Sequence, residues 1–358
     1  MTSDNLFDRL ADLFRSNGPV NWRLAREIAE SVAGEAEPVE PWLAEEYREL
    51  AVTAGMQIAA NSPLDPTGHT ADVRPVDRRT WASDNVSAFS YIAEPVADKM
   101  TGGGPISSML EQLGPALIGM QMGSVVGFMS HRVLGQFDLG IPAGEESAIS
   151  FIVPNIEAFA EDHGLDQRQT RMWVALHEVT HRAEFAVPWV MEHFLMLMHA
   201  FVDGLAIDPD EISRRMEGMQ DPEALQHMMD NPEGFSGLLG GDVQQGPLED
   251  IRAFMAVMEG YGDYLIDRAV PGLVPEALRI RQAIDVRRAE PSQGEQILQQ
   301  VLGLDLGHQQ YGLGAGFCNE VDRRWGEETL SRMWEGPEMM PKLAELEDVV
   351  GWAARVLL

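Results

Sequence analysis

The stretch LDQRQTRMWVALHEVTHRAEFAVP, residues 165–188, constrains the fold more than any other part of the chain. Asp166 is a suitable N-cap, because its carboxylate can accept from a backbone N–H in the first turn, and Gln169 three residues on completes the start signal. Pro188 cannot continue a helix and marks the end. Between them the spacing predicts a helix of roughly five turns over 167–186. Whatever packs around that helix must accommodate His177 and His181, which fall one turn apart on a single face. Glu178 lies about 100° round from His177, beside that face rather than on it.

Two imidazoles at i and i+4 can aim ring nitrogens at one tetrahedral Zn²⁺ and leave positions for a third protein ligand and a water. Zinc lowers the pKa of such a water toward neutrality, and a carboxylate next to the first histidine can take its proton and later pass it to a leaving amine. His177, Glu178 and His181 supply those parts in the order His-Glu-x-x-His. A chance match would fall in a loop as readily as in a helix, whereas this one sits inside a well-delimited helix. Glu178-x-x-His181 also matches half of a carboxylate-bridged di-iron bundle, but such bundles need a second ExxH on another helix, and the sequence has none.

The third ligand has to come from elsewhere. A histidine following a glycine shortly after the motif is absent, since Arg182 to Val187 contain neither. His193 and His199 come next but have apolar neighbours that suit core histidines. A better source is IRAFMAVMEGYGDYLIDRA, residues 251–269, where Glu259 and Asp263 stand at i and i+4 on the margin of an apolar face formed by Ile251, Met255, Met258 and Leu265. Two carboxylates beside a buried face repel each other and lose hydration unless a cation is near. That cost is met if Glu259 binds the metal and Asp263 accepts from the distal nitrogen of a ligand histidine. Gly260 and Gly262 leave room for close approach to another helix. A solvated acidic turn is the bland alternative, and should Glu259 not bind metal, His193 and Glu184 are the next candidates.

HEVTH followed by a helix carrying Glu-x-x-x-Asp resembles the gluzincin branch of the zincins, whose third ligand is a glutamate from a later helix. More closely, the chain resembles the zincin-like candidate hydrolases of actinobacteria and Chloroflexi, a family of unknown function. The segments that carry the likeness are GPVNWRLAREIA at 18–29, VDRRTWASDN at 76–85, RVLGQFD at 132–138, VPNI at 153–156, WVALHEVTHRAEF at 173–185, VPWV at 187–190, EGYGD at 259–263 and QQYGLGAGFCNEV at 309–321. The resemblance implies a zincin-like fold and metallohydrolase activity, with no substrate. It makes His177, His181 and Glu259 the zinc ligands, Glu178 the general base and Asp263 a partner of a ligand histidine. Residues 182–258 separate His181 from Glu259, a longer interval than in familiar gluzincins. Tyr311, in a Gln-Tyr-x-x-Gly setting like the family's, is the candidate donor to the oxyanion of a tetrahedral intermediate, with His308 behind it.

Helical periodicity is also expected at 4–16, 21–33, 43–60, 78–99, 106–133, 189–204, 247–269, 275–288 and 308–324. Strand signal is confined to 134–153, where LGQFDLGIP and AISFIVP flank an acidic turn. SAISFIVP would suit either a sheet edge that takes an extended peptide or a buried central strand. Trp173 and Trp189 are placed to brace the motif helix, and the Met-rich run at 190–199 reads as packing. The expected fold is α+β but predominantly α-helical, a single zincin-like domain over 1–358, with a helical N-terminal part (1–105), a metal-site part (106–358) and a small β-sheet just before the HExxH helix.

A net charge of −31, from 57 acidic against 26 basic side chains, repels phosphate backbones and anionic lipids, so neither nucleic acid nor membrane is an expected partner. Cys318 is the single cysteine, which excludes an internal disulfide and a cysteine-based zinc site. The N-terminus lacks the pattern of a secretory signal, giving an expectation of a cytoplasmic protein. The expected activity is that of a zinc-dependent hydrolase, in the first place a metallopeptidase, acting on a peptide or small-molecule substrate. Its alternative is a non-catalytic, metal-stabilised helical scaffold or partner-binding protein. Oligomeric state cannot be read from the sequence.

Overall fold

The computed structural model describes residues 18–66, 72–101, 107–138, 148–205, 245–290 and 308–358, with residues 16, 142 and 296. Helices follow the apolar period: α1 (Trp22–Ala33) and α2 (Pro41–Asn61), then β1 (Val73–Val76), α3 (Arg78–Asn85), α4 (Ser90–Thr101) and α5 (Ser107–Ser130). β2 (Ile149–Ile152) and α6 (Val153–Asp162) lead into the motif helix α7 (Gln167–Phe185) and then α8 (Val190–Gly204). α9 (Gln245–Ala269), α10 (Ala277–Ala289), α11 (His308–Trp325), α12 (Glu327–Ser331), three short 3-10 turns and α13 (Val349–Leu357) complete the described chain. The helix expected at 4–16 falls almost wholly outside the described residues.

Side-chain caps fix several starts: Asn21, Asp77 and Asp166 accept from the backbone N–H groups of Leu24, Thr80 and Gln169 at 3.0, 2.7 and 2.9 Å. Each such cap contributes about 1 kcal/mol, and it sets the residue at which the helix begins. The helix expected at 78–99 divides at 86–89 into α3 and α4.

The sheet is small and parallel, pairing Val73 with Ile149 through Val76 with Ile152. On the other side of β2, Gly135 makes an antiparallel bridge to Phe151, supported by Gln136 N–H to Ser150 O and Ile152 N–H to Leu134 O, both 3.0 Å. β2 is therefore central, with Ile149, Phe151 and Ile152 completely buried, and it is not an edge open to a peptide. Of the strand expected in LGQFDLGIP, the described part contributes this one bridge. β2 passes directly into α6, with a proline in the first turn where its missing N–H costs no helical hydrogen bond.

α7 runs through the middle of the core and is buried from Thr170 to His181. Arg171 ties it to α2 and α6 by ion pairs with Glu46 at 2.6 Å and Glu157 at 2.5 Å, while α8 and α9 pack on its far end. Leu113–Ser130 within α5 is long and apolar enough by composition to cross a membrane, and 56% of it is buried inside the protein.

Candidate metal centre

His177 and His181 stand one turn apart on α7 with ring centroids 4.5 Å apart. Glu259, from the middle of α9, meets them, so that one ligand atom from each of the three lies within 4.8 Å of the others. His181 Nε2 is 3.7 Å from Glu259 Oε1. Both atoms are buried and, among the described residues, neither has a hydrogen-bond partner. Leaving two such groups unpaired costs several kcal/mol together, a cost that a cation between them removes. The chemistry of the set, two imidazoles and a carboxylate, fits a three-ligand metal site.

Backbone clearance brings α9 to the histidines. Gly260 meets the backbone of Gly314 and Ala315 on α11, where a Cβ would collide with main-chain atoms, and a Cβ on Gly262 would lie 3.2 Å from His181 Cε1. The two glycines thus allow the close approach their sequence positions suggest.

Each histidine has a glutamate against its second nitrogen. His181 Nδ1 is 2.7 Å from Glu184 Oε2, and His177 Nδ1 is 3.2 Å from Glu178 Oε1. Asp263 does not take this role: its carboxylate faces Arg281 at 3.5 Å and Arg288 at 3.9 Å. The correction has a simple geometric cause, since Glu184 sits one turn beyond His181 on the same helix and reaches Nδ1 without crossing between helices. Trp173 stacks on the His177 ring at 5.7 Å. Trp189 instead braces α8, donating to Trp334 O at 2.9 Å.

Glu178 is enclosed. Its Oε2 accepts from Phe137 N–H at 2.7 Å, and the backbone of Gly135 lies so close that a Cβ there would overlap the carboxyl group. The segment that bridges to β2 is thus also the wall that holds Glu178. Burial is the main cause that pushes the Glu178 carboxyl up to about 8, against the lowering effect of the Phe137 N–H. Burial, with repulsion from His181, takes His177 down to about 3. For His181 burial pulls the same way, but the carboxylates of Glu184 and Glu259 outweigh it and raise the ring to about 9. Glu184 rises to about 7, chiefly by burial.

One contributor has no sequence signal of its own. Arg288, at the end of α10, brings Nη2 to 3.3 Å from Glu259 Oε2 and 3.4 Å from His177 Nε2. Its neighbour Arg287 pairs with Asp138, whose carboxylate also accepts from Leu134 N–H at 3.0 Å. His193 and His199 lie outside the cluster on α8, His193 between Trp189 and Phe254 and His199 exposed. His308 and Tyr311 fall on α11, but their side chains lie outside the described residues.

A helix bearing His-Glu-x-x-His met by a glutamate from a later helix, in a mostly helical fold with a small sheet, defines a site of the zincin class. A family model described as zincin-like metallopeptidase matches residues 20–353, and the chain belongs to that family. A crystal structure from Chloroflexus aurantiacus, described as a candidate hydrolase with a novel fold, is similar at 27% identity and a TM-score of 0.66, covering 94% of this chain and 98% of that one. A search of curated proteins finds no match.

Proposed function

We propose that the protein is a zinc-dependent hydrolase and that its substrates are peptides. The observation that carries this reading is the pair of buried atoms His181 Nε2 and Glu259 Oε1 beside His177, neither hydrogen-bonded among the described residues. His177, His181 and Glu259 would hold the ion. A zinc ion bound there supplies Lewis-acid activation of water and of a scissile carbonyl. Glu184 holds the His181 ring through Nδ1, which leaves Nε2 toward the cluster. Glu178 is the proton carrier, and a carboxyl raised to about 8 is suited to accept and return a proton near neutral pH. Tyr311 is the proposed donor to the developing oxyanion, on the resemblance alone.

The rival reading, a metal-stabilised scaffold without turnover, is favoured by one observation: the Glu178 carboxylate is fully buried and already engaged by Phe137 N–H and His177 Nδ1. In that case Glu178 would orient a ligand and move no proton. Metal analysis of the purified protein, followed by incubation with a mixed peptide library with and without a chelator, separates the two. About one zinc per chain and chelator-sensitive cleavage is the expected result. Zinc without cleavage of any peptide favours the scaffold, and no uptake of a transition metal overturns both. The absence of nucleic-acid or membrane partners belongs to the same proposal, supported by the charge of −31, and the cytoplasmic setting is proposed with it.

A further inference from the structure

The Glu178 carboxylate is engaged at both oxygens, by Phe137 N–H at 2.7 Å and by His177 Nδ1 at 3.2 Å. The first of these contacts comes from a turn rather than from the sheet. Gln136 N–H donates to Ser150 O and Leu134 O accepts from Ile152 N–H, both toward β2, whereas Phe137 N–H is directed at α7. The Phe137 ring stacks on Phe185 at 5.8 Å. That packing fixes where the residue sits, but it leaves the rigid peptide plane before Phe137 able to turn about the soft dihedrals on either side.

Asp138 sets that plane. Its Oδ2 accepts from Leu134 N–H at 3.0 Å and closes the turn 134–138 around the Phe137 N–H. Arg287, in the last turn of α10, grips the same carboxylate with both arms of its fork, Nη1 at 3.2 Å from Oδ1 and Nη2 on Oδ2. A bidentate pair of this kind fixes direction as well as distance. Arg287 is anchored in turn, since Nη2 donates to Arg132 O at 2.8 Å and the Arg132 guanidinium returns a bond to Arg287 O. The Arg287 and Asp138 side chains are only 9% and 7% exposed, so water does not readily replace either partner. A chain of contacts thus runs from α10 to Glu178 without passing through His177, His181 or Glu259.

We propose that Arg287 and Asp138 form a positioning pair for Glu178, holding the 134–138 turn so that Phe137 N–H fixes the orientation of the carboxylate. The proposal rests on the reading of Glu178 as the proton carrier of a hydrolase. A proton carrier works only within hydrogen-bond reach of the proton it moves, so a rotated carboxylate slows turnover without loosening the ligands.

The test uses the full chain, loaded with zinc and checked for metal content, as wild type, Arg287→Met and Arg287→Lys. Arg355→Met, which breaks the α13 ion pair with Glu345, is the control for loss of an arginine elsewhere. Two readings are taken: hydrogen exchange resolved by peptide, and steady-state kinetics on a peptide that wild type cleaves. Arg287→Met should speed exchange over 134–138 while α7 keeps its protection, and should lower kcat about 10–100-fold at unchanged KM and zinc content, the scale of a misplaced group. Arg287→Lys keeps the charge beside Asp138 without the fork. It should show a smaller change of the same kind, and it decides the matter should the methionine variant fail to fold. Arg355→Met should lower thermal stability and leave both readings as in wild type. Exchange over 134–138 as slow as in wild type overturns the proposal, as does faster exchange with unchanged kcat. Loss of zinc or of α7 protection marks a merely structural role and overturns it too. Wild type that holds zinc but cleaves no peptide is a different outcome, which removes the hydrolase reading and this proposal with it.

Discussion

Glu184 Oε2 lies 2.7 Å from His181 Nδ1, and both side chains are completely buried. The carboxylate is an acceptor, so Nδ1 donates to it, and once the ring gives up a proton to bind a metal, Nε2 is the nitrogen whose lone pair faces the cluster. Glu184→Gln should therefore weaken zinc binding about 10–100-fold, the usual effect of loosening a ligand histidine. Asp263→Asn should change zinc affinity far less, because Asp263 faces two arginines. Zinc titration of the two demetallated variants against a competing chelator gives the comparison, and an equal loss in both would contradict it.

Glu178→Gln keeps an oxygen that can accept from Phe137 N–H but cannot carry the proton. Zinc content should remain near that of wild type while peptide hydrolysis falls by about 100-fold or more, the scale of general-base contributions. His181→Ala should lose both metal and activity. Parallel metal analysis and turnover assays read the split, and a large loss of zinc from Glu178→Gln would mark Glu178 as an orienting group for His177.

Gly135→Ala tests the wall around Glu178. The added methyl would overlap the Glu178 carboxyl group, which is buried and has little room to retreat. Destabilisation of about 1–3 kcal/mol is expected, as for other overpacked sites, together with reduced hydrolysis and retained zinc. Thermal melting, metal analysis and turnover on one preparation check all three parts.

Asp138 gives the molecule an acid-sensitive tie. Burial raises its carboxyl but the Arg287 guanidinium outweighs this, so in the folded chain it sits below the ordinary value of 3.8. A depressed folded-state value means that the folded protein releases this proton more readily than the unfolded chain. The stabilisation is full above 3.8 and disappears as pH falls through the lower, folded-state value. Asp138→Asn leaves Arg287 buried without its counter-charge and should cost about 3–5 kcal/mol near neutral pH. The difference from wild type should shrink as denaturation is repeated below pH 3.8, and a difference constant with pH would show that the ion pair contributes nothing.

The long helices were legible because their apolar positions recur with the helical period and their ends carry Asn21, Asp77, Asp166 and Pro188. Among the elements not expected, which include α12 and α13, β1 and α6 were hidden for opposite reasons. β1 contains Pro75, which demotes a strand in any sequence reading, yet it pairs along its length with β2. α6 follows so closely on the apolar run ISFI that its own period is masked. At the site, spacing alone placed His177, His181 and Glu259 as candidates that the structure brings together. Asp263 was misplaced because i, i+4 from Glu259 shows only that two residues share a face, and it does not show which cation that face meets. Arg288 gave no signal, since arginines in the last turn of a helix are ordinary partners of its dipole.

The parallel pairing of β1 with β2 also has a kinetic side. The two strands are joined through residues 77–148, which include α3, α4 and α5. Parallel neighbours cannot be linked by a tight turn, so their register forms only after this long excursion has returned. The loop that closes is large, and its entropy must be met before the strand contacts give anything back. Gly135 and Phe137, which border Glu178, belong to the same closure through their bridge to β2. The helix bearing the histidines can form from local contacts, whereas the lining of its glutamate is completed only with that long-range closure.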